Sequence, residues 1–113
     1  MENSNISFSD FSRIDIRVGE VVKVEEVTGS ANLFRLYVDF GKDLGERTIM
    51  TGLKKWYKKE DLEGKKFIFV TNLEPKKMMG ETSNGMMLCA VESDDKIFLT
   101  PVGRKIKTGT IVR

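Results

Sequence analysis

The chain has no histidine and a single cysteine, Cys89, in 113 residues. Each scarcity removes a class of chemistry. Without histidine, one thiol cannot build the ordinary zinc constellations, and serine–histidine and cysteine–histidine catalysis fall with them. No metal ligand set and no cofactor are therefore expected. A lone cysteine cannot form an intramolecular disulfide, which fits a reducing compartment and a cytoplasmic location. No apolar run reaches about 18 residues, so no membrane span is expected. The opening Met-Glu-Asn-Ser-Asn has neither the basic nor the apolar stretch of a secretory signal. P-loop, dinucleotide and G-x-S-x-G fingerprints are missing too. What remains is a binding protein, or an enzyme of an unusual kind.

Net charge is also scarce: 19 bases against 17 acids leave +2, weak for a nucleic-acid binder. The distribution is more informative. Residues 1–26 carry six acids (Glu2, Asp10, Asp15, Glu20, Glu25, Glu26) against three bases. Residues 54–66 reverse this, with six lysines against Glu60, Asp61 and Glu63. The last ten residues add Arg104, Lys105, Lys107 and Arg113 without an acid. Such a polarised chain can present a basic face while staying near neutral overall, although the same lysines also serve as a solvated surface.

The length fits one domain over 1–113, with an N-terminal helical turn at about 7–13 and a barrel core at about 14–113. Ser7 is placed to cap that turn, with Phe8 and Phe11 three apart. Arg17 to Val27 reads as a strand whose alternation breaks at Val21-Val22, just after Gly19, predicting a bulge. Leu33 to Phe40 alternates strictly, with Phe34, Leu36, Val38 and Phe40 on one face. Arg47 to Thr51 is a third strand. Leu53, Trp56 and Tyr57 have helical spacing, predicting a helix of about three turns to Leu62; that spacing favours Trp56 and Tyr57 in the core over a stacking platform among the lysines. Phe67 to Thr71 and Met86 to Val91 are buried strands. Ile97 to Thr100 is another, and Lys105 to Val112 is a candidate edge strand. Three strands, a helix and further strands give an all-β chain with one short helix: an OB-fold, a five-stranded Greek-key barrel.

One segment exceeds what a connection needs. Asn72-Leu73-Glu74-Pro75-Lys76-Lys77-Met78-Met79-Gly80 runs through Thr82, Ser83 and Asn84 into Gly85-Met86. Lysines suit phosphates, amides and hydroxyls suit base edges, and flexible methionines suit base faces, a combination fitted to single-stranded or looped RNA. Asn72 is equally able to close a turn through backbone bonds, and Met86 equally able to enter the core. Met50, Met87 and Cys89 read as core.

Three stretches lie in order: Asp15-Ile16-Arg17-Val18-Gly19, Val38-Asp39-Phe40-Gly41, and Asn72-Leu73-Glu74-Pro75-Lys76-Lys77-Met78-Met79-Gly80 with Ser83 and Gly85-Met86. Together they resemble the tRNA-binding domain found at the C-terminus of methionyl-tRNA synthetases, in free-standing tRNA-binding proteins and in CsaA-type chaperones. The resemblance covers about Phe8 to Arg113. It implies a non-catalytic OB-fold that binds tRNA by shape more than by sequence. It also implies a homodimer acting in trans, as a tRNA chaperone or as a beta-type subunit beside a methionyl-tRNA synthetase catalytic subunit. The alternative it implies is a CsaA-like, peptide-binding export chaperone.

By position, Asn72, Lys76, Met78, Ser83 and Met86 match the family's RNA-contacting loop and strand. Lys77 stands where many members have a small residue. Many members read H-P-N-A-D-K-L between the first two strands, whereas this chain has Val27-Thr28-Gly29-Ser30-Ala31-Asn32-Leu33. Asn32 and Arg35 are local substitutes for that loop's contacts. Arg35 lies on the outward strand face, the usual OB binding surface, whereas Arg17 reads as structural.

Overall fold

The structure, a computed structural model, describes residues 4–113; the first three residues, including Glu2 of the acidic segment, lie outside it. A four-residue helix, α1 (Phe8–Phe11), opens the described chain. The Ser7 hydroxyl accepts from the Asp10 amide at 3.0 Å, satisfying one of the donors that a helix start leaves open. β1 (Ile16–Glu26) is the longest strand. β2 (Phe34–Asp39), β3 (Glu46–Thr51), the short helix α2 (Lys59–Leu62) and β4 (Lys66–Val70) follow. After them come β5 (Lys76–Met78), β6 (Glu81–Ser83), β7 (Met86–Met87), β8 (Ala90–Ser93) and β9 (Lys96–Phe98).

Five antiparallel strands in the order β3-β2-β1-β4-β7 make the main sheet. It curls until β7 meets β3, nearly closing a barrel of the OB type. The bend comes from the bulge in β1. Val21 faces Val38 and Lys23 faces Tyr37, so Val22 is the extra residue. Val22 is exposed, while Val21 and Val24 both point inward. That is why the alternation breaks where it does.

The alternating residues of β2 deliver Phe34, Leu36 and Val38 to the interior, and Phe40 follows them. They pack with Val21, Val24, Ile49, Leu53, Leu62, Phe67, Phe69 and Met87. Phe40 and Phe69 meet edge to face, centroids 5.3 Å apart. Each such side chain contributes roughly 1.5–3 kcal/mol when fully buried. Gly19 makes this packing possible. A Cβ there would stand 2.6 Å from Val38 Cγ1 and 2.7 Å from Phe40 Cε1.

Several elements differ from the sequence reading. The helix over Leu53–Leu62 is only α2 plus a preceding turn, in which the Trp56 and Tyr57 amides both donate to Leu53 O. Lys58 is extended between them, with its amide donating to Asp61 Oδ2 at 2.8 Å. Leu53 and Leu62 are buried as the periodicity demands, but Trp56 is not core. The run Met86–Val91 divides at Leu88-Cys89: β7 pairs with β4, while β8 and β9 form a separate ribbon. The C-terminal tail makes one bridge, Arg17 with Ile111, rather than a full strand. It nonetheless lies along the first half of β1, with the Val18 amide donating to Thr110 O and the Gly109 amide to Val18 O. Among the described residues no helix is long and apolar enough to cross a membrane.

Candidate nucleic-acid interface

The segment after β4 is a hairpin rather than an open loop. Lys76 faces Ser83, Lys77 faces Thr82 and Met78 faces Glu81. Met79 (φ 51°) and Gly80 (φ 78°) form its two-residue turn, both left-handed, as a type I′ turn requires. A two-stranded ribbon of this length is not stable alone, so its tethers matter.

Two tethers hold it. The Arg35 guanidinium, on the outward face of β2, grips both carboxylate oxygens of Glu81 through Nε and Nη2. Its Nη1 donates to Glu25 Oε1 at 2.9 Å, and the Tyr37 hydroxyl donates to the same oxygen at 2.8 Å. Hydrogen bonds from Tyr37, Lys23 and Arg35 hold the Glu25 carboxyl down at about 2, and Arg35 lowers that of Glu81. Second, Ser83 is 3% exposed, and its Oγ accepts from the Met50 amide at 2.9 Å and donates to Gly85 O at 3.1 Å. The tip also stands near the β1–β2 connection: the Met79 methyl is 3.7 Å from where a Cβ on Gly29 would be.

These contacts sort the expected site residues. Lys76 and Lys77 are exposed, Met78 is half-buried, and Met86 is exposed at the end of β4's partner strand. Asn32 is exposed in the β1–β2 connection. Ser83, Arg35 and Asn72 each already have polar partners within the chain. Ser83 is below the surface with its hydroxyl committed to backbone. Arg35 has its guanidinium occupied by two carboxylates of its own chain. Asn72 is at the surface, yet its Nδ2 donates to Arg13 O at 2.6 Å and its Oδ1 accepts from the Asp15 amide at 2.8 Å. It stitches the N-terminal segment to the root of the hairpin. The neighbouring Asp15 carboxyl feels burial as its largest influence, but hydrogen bonds from Arg17 and Thr71 outweigh this and lower it.

Two features beside the hairpin were not singled out from sequence. Arg47 donates to Thr71 O at 2.5 Å and joins Glu46, Thr48, Thr71, Leu73, Pro75 and Asn84 around a polar hollow of about 490 Å³. On the other side, Met50, Met78, Met86, Met87 and Cys89 line an apolar groove of about 340 Å³ with Leu53 and Ile97. Burial raises the Cys89 thiol above its ordinary range. Only the folding of β7 against β3 and β4 brings these side chains together. Among the described residues no cluster of histidine, cysteine or carboxylates could hold a metal.

Residues 16–111 match the family model described as a putative tRNA binding domain. The methionine–tRNA ligase of Methanocaldococcus jannaschii is 43% identical over 113 residues, all of this chain and 17% of the ligase. That of Clostridium tetani is 41% identical over 109 residues, again 17% of the ligase. The chain thus spans about a sixth of the length of these relatives. Among solved structures, a methionyl-tRNA synthetase related protein from Pyrococcus horikoshii superposes with a TM-score of 0.93 at 40% identity. The match covers 98% of this chain and 100% of that one. The chaperone CsaA of Bacillus anthracis gives 0.88 at 30% identity, over 97% and 100% of the two chains.

Proposed function

The chain belongs to the putative tRNA-binding domain family, and on that premise we propose that it is a non-catalytic tRNA-binding module. It would act in the cytoplasm as a tRNA chaperone or as a beta-type partner of a methionyl-tRNA synthetase catalytic subunit. The observation that carries this reading is the tethered hairpin, which raises two exposed lysines on a braced ribbon beside exposed Met86 and Asn32. Lys76 and Lys77 attract phosphates, while Met78 and Met86 present polarisable surface to bases or riboses. Arg35, Asn72 and Ser83 act one step back, fixing where the ribbon stands. A rigid ribbon with few base-reading groups suits recognition by shape.

The test is tRNA binding by the purified chain across a salt series. Affinity should fall steeply with salt, and Lys76→Ala should weaken binding and lower the salt slope by roughly one unit. A salt-independent affinity, or an unchanged affinity in a folded Lys76→Ala variant, defeats the reading.

The methionine-lined groove favours a second reading, peptide binding like that of a chaperone. Flexible thioethers adapt to varied apolar side chains. A peptide binder should suppress aggregation of an unfolded client, and tRNA should not abolish that protection. We propose further that the chain pairs with a second copy. Phe8, Ile14 and Ile111 are exposed around one groove of about 420 Å³ at the N- and C-terminal ends of the described chain, and burying such side chains against a second copy removes apolar surface from water.

A further inference from the structure

Trp56 is the chain's only tryptophan, and the fold does not use it as core. Leu53 is buried, and the half-buried Tyr57 donates its hydroxyl to Ile97 O at 2.5 Å. Between them Trp56 is 37% exposed. Leaving an indole partly in water forgoes burial that most turn residues never had to lose. Lys54, Lys55 and Lys58 flank it in the chain. Lys54 pairs with Glu26 at 2.7 Å, but Lys55 and Lys58 are exposed and, among the described residues, form no ion pair.

This turn is continuous with the hairpin. The Lys54 amide donates to Asn32 O at 3.1 Å, and its ammonium to Ser30 O at 3.2 Å. In the same β1–β2 connection, Gly29 stands near Met79 at the hairpin tip, the Met79 methyl being 3.7 Å from where a Cβ on Gly29 would be. The connection therefore bridges two outcrops, one carrying Lys76 and Lys77 and the other Lys55, Trp56 and Lys58.

We propose that the turn Lys54–Lys58 is a second nucleic-acid contact surface, on which Trp56 stacks against an unpaired base while Lys55 and Lys58 hold the flanking phosphates. An aromatic face between exposed cations is the combination that binds single strands without reading sequence. Lysine is depleted from protein–protein interface cores, so the same surroundings disfavour a protein partner. The proposal rests on the RNA-binding reading above and adds a subsite to it: the ligand must have an unpaired nucleotide within reach of the turn.

Because no other tryptophan interferes, intrinsic fluorescence reports on this residue alone. Titration of the intact chain with tRNA, and separately with a single-stranded oligouridylate, should quench Trp56 emission saturably, with the midpoint found by filter binding. Trp56→Ala should weaken tRNA binding about tenfold or more without changing the salt slope, and Trp56→Phe should restore most of the loss. Lys55→Ala and Lys58→Ala should each reduce the slope by about one. If tRNA binds with unchanged emission and Trp56→Ala has the parent affinity, the subsite is refuted and the hairpin reading stands. If neither nucleic acid binds the parent chain, both fall. Quenching by an unfolded protein client but not by RNA would assign the turn to a protein partner and overturn the proposal.

Discussion

Arg35 shows how little a residue's type decides by itself. An arginine on the outward face of an OB strand has the right charge and position for a phosphate. Here Glu81 and Glu25 already fill its fork, and the geometry matches a bidentate carboxylate pair. Its charge organises the protein's own hairpin. Ser83 follows the same logic, because a buried hydroxyl with two good backbone partners has little left to offer a ligand, whereas Asn72, at the surface, spends one donor and one acceptor on backbone. Gly19 is the complementary case, where absence of a side chain is the function. Gly19→Ala would force a methyl against Val38, Phe40 and Phe69, all buried. The expected loss is about 1–3 kcal/mol from overpacking, read as a lower denaturant midpoint with an unchanged m-value.

Among the elements, the β5–β6 hairpin is held to the barrel by contacts rather than by a core of its own. Glu81→Gln keeps the shape and removes the charge. The amides of β5 and β6 should then exchange at least about tenfold faster, while the global denaturant midpoint stays close to the parent's, as expected for a part-exposed ion pair. Acid should act in the same direction. The Glu25 carboxyl sits at about 2 in the folded protein against an ordinary 4.5, and that of Glu81 is lowered as well. A carboxyl lowered by folding contributes its full share above the ordinary value and loses it as pH falls through the folded one. The tether should therefore weaken between about pH 4.5 and 2, visible as movement of the Gly80 and Thr82 amide resonances before the barrel unfolds. Unchanged resonances down to pH 2 would show that the carboxylates do not hold the hairpin.

At the scale of the molecule, two exposed apolar surfaces lie apart from the lysines. Lysines gather on the hairpin and on the turn before α2. Exposed apolar side chains gather at α1 with Ile111, and again at Val91 and Phe98 of the β8–β9 ribbon. A modest net charge of +2 is thus compatible with a strongly basic face. If the apolar end is where two copies meet, sedimentation should give twice the 12.8 kDa chain mass. Phe8→Asp should shift the species toward monomer. Phe8 is 79% exposed, so the variant should keep the parent's circular dichroism. A monomeric parent chain at micromolar concentration would defeat the dimer.

The sequence by itself determined the barrel. Strict alternation from Phe34 to Phe40, the break at Val21-Val22 and the capping Ser7 are local patterns read without a partner, and each appears in the fold. It also determined the family, because an ordered set of short motifs survives in the linear chain. Tertiary structure decided which members of those motifs face outward. Helical spacing at Leu53, Trp56 and Tyr57 was satisfied by a turn and one short helix, because burying Leu53 and Leu62 did not require Trp56 to follow. The run through Met78-Met79-Gly80 became a hairpin because Arg35, 46 residues from Glu81 in sequence, holds it. Periodicity records which face of a segment is apolar. It cannot record which distant carboxylate reaches an arginine first, and that decides whether the arginine is left for RNA.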